Sequence, residues 1–146
     1  FQEADFSSPA LHRIDGGPFD VVVCQLVMSI IGDVGQRVRL LRNVHDHLRP
    51  GGWFYLSASG VSDSINAGYA ALYASDRDLT GEQHSYLSRD RDGKVLYTTH
   101  HFTTDELLSI LAATGFGRIQ IATEREASSR RPEEAAFFHY VTCRRD

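Results

Sequence analysis

The run PFDVVVCQLVMSII, from Pro18 to Ile31, limits the folds open to this chain more than any other feature. Its apolar core is too short for a membrane span, which takes about 20 apolar residues, and it lacks the alternation of a strand with one wet face. Consecutive β-branched residues at Asp20–Val23 predict a central parallel strand covered on both faces. Downstream, Asp33 stands at a helix N-cap with Gln36 three positions on, and Val34, Val38, Leu41, Val44 and Leu48 follow at helical spacing. Arg37, Arg39 and Arg42 are assigned to the solvated face of that helix. LRPGG ends it, because Pro50 cannot continue a helix and Gly51 and Gly52 accept turn conformations. WFYLSAS then reads as a second buried strand, Trp53 to Ser57. Strand, helix and strand joined by short loops make a βαβ unit. The expected fold class is therefore α/β: a Rossmann-like, mainly parallel sheet with helices on both faces.

Beyond Gly60 the pattern changes. Ile65, Tyr69, Leu72 and Tyr73 share a helical face, and HSYLSRDRDGKVLYTTHHF carries two β-rich arms around Asp92-Gly93, a hairpin signal. Residues 60–102 are read as a helix-plus-hairpin insertion beside the sheet. A capped helix follows: Thr103 and Glu106 form a capping box, Phe102 and Leu107 a hydrophobic staple, and Gly115 the stop. GRIQIATER and AAFFHYVTC read as two last strands joined by the polar loop EASSRRPEE.

With 146 residues the chain is one domain at most, by a prior of about 100–200 residues per domain. The net charge of −4 disfavours a nucleic-acid partner, since neutralising phosphates needs a basic surface. No stretch resembles a membrane anchor or a signal peptide. Cys24 and Cys143 form no spaced framework, which fits free thiols in a reducing, cytoplasmic setting. The chain begins at Phe1, already in mid-pattern, so an N-terminal piece is expected upstream and the fold is expected to be incomplete at that end.

The order FDVVVCQLV, helix, LRPGGWFYLS, then HHFTTDELLSILAATGF and two last strands resembles the C-terminal part of class I S-adenosylmethionine-dependent methyltransferases. The resemblance implies S-adenosylmethionine as cofactor and a small molecule as methyl acceptor at oxygen or nitrogen. In that family a first strand and glycine-rich turn cradle the cofactor and an acid ending the second strand holds its ribose. Neither is found here, since Gly16-Gly17 and Gly51-Gly52 do not follow a strand and open a helix. Residue by residue, EADF resembles the adenine-reading loop, with Asp5 accepting from the exocyclic amine and Phe6 against the base. Cys24, Gln25 and Leu26 end the first confident strand, where open α/β sheets place ligands, and the resemblance sets them under the methionine portion. Cys24 reads as a small core residue, not a nucleophile.

Methyl transfer asks chiefly for alignment, with a general base where the acceptor carries a proton. Histidine suits that task near neutrality. The insertion is the expected lid, and it concentrates Tyr69, Tyr73, Tyr86 and Arg89 as substrate contacts, with Tyr97 and His84 nearby. His100 and His101 are the candidate catalytic residues. They point to opposite faces of an extended arm, and His101, closer to the following helix, is preferred. Metal readings fail on chemistry: Asp90, Asp92 and Gly93 mimic a calcium loop, but Thr99 stands where a bidentate Glu is required, and His84, His100 and His101 lack partners at a zinc spacing. Arg130 and Arg131 are an anion clamp or, by default, part of a mixed-charge solvated loop. A rival function is a non-catalytic α/β interaction module that pairs through a free sheet edge, with a homodimer as its simplest form. A nicotinamide-dependent enzyme ranks third for want of a cofactor fingerprint.

Overall fold

A computed structural model describes residues 2–9, 11, 14–128 and 134–146. Strand β1 (Phe19–Gln25), helix α1 (Val34–His47) and strand β2 (Leu48–Ser59) build the expected βαβ unit, with β1 and β2 parallel. Asp33 caps α1 by accepting from the Gln36 amide at 2.7 Å. The insertion forms helix α2 (Ala67–Thr80) and strands β3 (Ser85–Arg89) and β4 (Val95–His100). Asp90 closes the β3–β4 turn by accepting from the Asp92 and Lys94 amides, and Gly93 takes a φ of +82° there, a conformation glycine adopts without steric cost. Helix α3 (Thr104–Ala113) and strands β5 (Phe116–Ala127) and β6 (Ala135–Arg145) complete the chain.

The main sheet runs β1-β2-β6-β5, and β3-β4 form a separate ribbon. Here the expected mainly parallel sheet is corrected. Only β1 and β2 are parallel, while β6 is antiparallel to both β2 and β5. The short β5–β6 connection explains this, because a parallel return needs a crossover of a dozen or more residues.

Helices α1 and α3 lie on one face of the sheet, and α2 packs on the other at its end, against Ala136 and Phe138. Leu40, Leu41 and Val44 of α1 and Leu107 and Leu111 of α3 share a core with Cys24, Phe54, Leu56, Val141 and Cys143. Each fully buried leucine of this kind contributes about 1.5–3 kcal/mol. The strands alternate accordingly, and Val21, Val23, Tyr55 and Tyr140 on the other face are exposed. The continuous valine run is thus not a strand covered twice among the described residues. The buried stripe of α1 is also rotated from expectation: Val34 is exposed while Arg37 is buried.

The insertion packs by a second cluster, in which Tyr69, Tyr73 and Tyr86 meet Ala136 and Phe138. It is seated against β6 near the carboxyl end of β2, where the Ser59 pairing partner is Phe138.

Candidate functional site

Parallel pairing brings the carboxyl ends of β1 and β2 side by side, with Cys24 opposite Leu56 and Gln25 opposite Ser57. The EADF loop is drawn to this end by α1. Asn43 Nδ2 donates to the Phe6 and Ser8 carbonyls at 2.8 and 3.0 Å, and Arg39 Nε donates to the Ser7 carbonyl at 3.1 Å. Asp5 Oδ1 accepts from the Ser7 hydroxyl and amide at 2.7 and 2.8 Å, bonds that hold its carboxyl below the usual range. The result is a cleft of about 460 Å³ whose walls include Asp5, Phe6, Cys24, Gln25, Val22, Ile31 and Val44. Four of the five residues assigned to the cofactor, Asp5, Phe6, Cys24 and Gln25, therefore line one cavity. Burial raises the Cys24 thiol, so that side chain is a neutral wall and not a thiolate.

Leu26 departs from that group. Its φ of +58° puts a branched side chain in the left-handed region, at a cost of order 1–3 kcal/mol. The chain turns there, with the Leu26 amide donating to the Ser57 carbonyl at 2.9 Å. Its side chain lines a second, smaller chamber of about 120 Å³ together with Ser29, Tyr69, Tyr86, Tyr97, Thr99, His101 and Phe138. Ile30 belongs to both cavities. Cleft and chamber meet at the end of β1, one containing Gln25 and the other Leu26.

His101 is 3% exposed. Burial, reinforced by the neighbouring His100, His84 and His139, lowers its pKa to about 3. It is neutral at physiological pH, and a far weaker proton acceptor than an ordinary imidazole. The Tyr73 hydroxyl lies 2.6 Å from its Nδ1, and Tyr69 and Tyr86 pack on it with ring centroids 4.8 and 5.4 Å away.

Three assignments change place. Tyr73 does not line the chamber; it stands behind His101. Arg89 is turned away, its guanidinium holding Asp76 with two bonds of 2.8 and 2.9 Å, because a buried carboxylate needs a charged partner. His100 faces elsewhere too. Its Nδ1 meets Ser85 Oγ at 2.7 Å and its Nε2 meets Glu106 Oε1 at 2.9 Å, near Glu82. Burial alone would raise the Glu106 carboxyl, but the His100 hydrogen bond and charge, with Arg37, hold it below its ordinary value. His100 thus sits in an ionic network, not at the chamber. Arg130 and Arg131 lie outside the described residues. Among the described residues, no group of three or more His, Cys, Asp or Glu is arranged to hold a metal, and no helix is long and apolar enough to cross a membrane.

Sequence reasoning missed Asn43 and Arg39, which fasten the EADF loop, and Arg37. For Arg37 a signal exists: residues 37, 41, 44 and 48 recur at helical spacing, so Arg37 stands on the buried stripe itself. Asp76 offers a pH test. The Arg89 bonds lower its folded pKa against the opposing effect of burial, so the stability it adds is present above its unfolded value near 4 and is lost as pH falls through the folded one. Asp76→Asn is expected to flatten the acid limb of stability between about pH 5 and pH 2, measured by urea unfolding across that range.

The largest hollow described, about 580 Å³, is on the uncovered sheet face beside Val23, Tyr55, Ala122 and Tyr140. It shares Val23 and Gln25 with the cleft and reaches Ser57 at the strand end, but it has no ionic side chain and does not include the EADF loop, so the candidate site is the cleft and chamber.

No family model and no curated protein matches the sequence. Solved structures do match. A SAM-dependent methyltransferase from Methanosarcina mazei superposes with a TM-score of 0.81 at 25% identity, over 95% of this chain and 63% of its own length. An S-adenosylmethionine-dependent methyltransferase from Mesorhizobium loti gives 0.56 at 22% identity, over 99% and 68%. The 1,6-didemethyltoxoflavin N1-methyltransferase of Burkholderia thailandensis, solved with 1,6-didemethyltoxoflavin and S-adenosylhomocysteine, gives 0.55 at 20% identity, over 90% and 46%. The chain spans less than two thirds of the Methanosarcina protein it matches. Its βαβ unit, capped α3 and antiparallel β5–β6 pair are those of the class I S-adenosylmethionine-dependent methyltransferase fold.

Proposed function

We propose that the protein transfers a methyl group from S-adenosylmethionine to a small uncharged acceptor, with the cleft holding the cofactor and the chamber the acceptor. The observation that carries this reading is the junction of the two cavities at the end of β1, where Gln25 and Leu26 diverge and Ile30 is shared. The cleft suits the cofactor's chemistry. Its apolar walls at Phe6, Val22, Ile31 and Val44 favour a flat base, Asp5 keeps a carboxylate for the base's exocyclic amine, and Gln25 offers both donor and acceptor. When bound, S-adenosylmethionine supplies a methyl group already activated on a sulfonium. This chain's residues then orient and exclude water: Tyr69, Tyr86 and Tyr97 wall the acceptor, and His101 gives it a polar contact. Residues 60–102 act as the lid.

Calorimetric titration of S-adenosylhomocysteine into a chain extended upstream tests the reading. Binding is expected, and Asp5→Asn should weaken it about tenfold, the loss of one hydrogen bond to a charged group. No binding by the extended chain removes the enzyme reading.

A second reading rests on a different observation. Val21, Val23, Tyr55 and Tyr140 form an uncovered apolar face, and β1 and β5 end the sheet order. Exposed patches and strand edges of this kind mark association surfaces, which favours an interaction module or a homodimer. A scattering mass of twice the monomer without cofactor binding would support it.

A further inference from the structure

We propose that Tyr73 locks His101 as the Nε2–H tautomer, making His101 a hydrogen-bond donor that orients an uncharged single-ring ligand through an acceptor atom on the ring's edge. The inference rests on reading the chamber as the acceptor site and narrows what that site takes.

A neutral imidazole carries one N–H, and the partner of one nitrogen sets the role of the other. The Tyr73 hydroxyl proton has one acceptor within reach among the described hydrogen bonds, His101 Nδ1 at 2.6 Å. With Tyr73 donating, Nδ1 is the acceptor and the ring proton resides on Nε2. The reverse arrangement would leave a buried phenol proton unpaired, which costs about 1–3 kcal/mol. Network satisfaction is the basis on which such tautomers are assigned. No described hydrogen bond engages Nε2, and His101 lines the chamber, so the remaining N–H is the ring donor offered there, beside the hydroxyls of the lining tyrosines and serines. Tyr73 touches no ligand; it is a positioning residue.

The walls define the ligand. The chamber is lined by no Asp, Glu, Lys or Arg among the described residues, so an ion entering it would lose hydration without a counter-charge. Its volume of about 120 Å³ is close to that of cavities, roughly 150 Å³, that hold a single benzene. Tyr69, Tyr86, Tyr97 and Phe138 present ring faces and edges to a flat guest. A ring carbonyl or a pyridine-type nitrogen meets the His101 N–H, whereas a ring offering only an N–H sets two donors against each other.

Long-range ¹H–¹⁵N correlation spectra of the labelled protein read the tautomer directly. The expected result is a protonated Nε2 and a pyridine-type Nδ1 for His101; a protonated Nδ1 overturns the proposal. Pyridine, an acceptor-only ring, and pyrrole, a donor-only ring, are then titrated by chemical-shift perturbation. Pyridine is expected to bind about tenfold more tightly, and Tyr73→Phe to erase that preference while shifting the His101 proton towards Nδ1. Equal binding of the two rings to the parent protein overturns it as well. If Tyr73→Phe does not fold, the parent spectra and the two titrations decide alone. None of these readouts needs cofactor, so a failure here is distinct from absent S-adenosylhomocysteine binding, which would remove the methyltransferase reading instead.

Discussion

Arg37→Ala is expected to destabilise the protein by about 3–5 kcal/mol, the cost of breaking a buried ion pair from one side. Arg37 is 1% exposed. Its Nη2 meets Glu82 Oε1 at 2.6 Å, its Nη1 donates to the Ile31 carbonyl at 2.9 Å, and its guanidinium carbon lies 5.7 Å from the Phe102 ring centroid. Removing it leaves Glu82 facing Glu106 with only His100 between them. The pair also has a positional role. Glu82 follows α2 and Arg37 belongs to α1, so together they tie the insertion to the βαβ unit. The Nε atom is buried without a partner, which offsets part of the gain. Arg37→Met combined with Glu82→Gln is therefore expected to cost less than Arg37→Ala, because it keeps apolar volume and removes both charges. Urea unfolding of the parent and both variants measures this. An Arg37→Ala protein within about 0.5 kcal/mol of the parent would show that the bridge does not hold the insertion in place.

Phe102→Ala should be of similar size, about 3–5 kcal/mol for a fully buried phenylalanine, with a melting point roughly 10 °C lower or more. Phe102 is 0% exposed and joins the insertion to the sheet through both main-chain groups. Its amide donates to the Ser59 carbonyl at 2.8 Å, and its carbonyl accepts from the Val61 amide at 3.0 Å and lies 2.9 Å from His139 Nε2. Its ring packs edge-on against His100, centroids 4.5 Å apart. The cavity left by alanine opens beside His100 and Arg37, so their ionic network should loosen as stability falls. Leu79→Ala, at a site 68% exposed, is the control and should stay within about 0.5 kcal/mol. Thermal unfolding followed by circular dichroism compares the three proteins.

Local patterns were legible where the cause is local. The Asp33 cap, the Thr103 cap on the Glu106 amide at 3.1 Å and the Asp92-Gly93 turn each depend on residues within a few positions. Even so, the Glu106 side chain, expected to complete a capping box, bonds His100 instead, since the buried imidazole at the end of β4 competes for it. The direction of β6, the exposure of Val21, Val23 and Tyr55 and the rotated stripe of α1 were not readable, because pairing and burial depend on what the chain meets elsewhere.

For the site, the residue types that arrive at the strand end follow from the chain alone: an acid and a ring in EADF, then Cys24 and Gln25 closing a strand. Order along the chain and the rule that ligands sit beyond carboxyl ends suffice for that. Three-dimensional packing, by contrast, takes Leu26 out of the cleft, gives Arg89 to Asp76 and sets Tyr73 behind His101. Those outcomes rest on burial, which makes every unpaired charge and proton costly and so forces each buried polar group onto whichever partner the packing supplies.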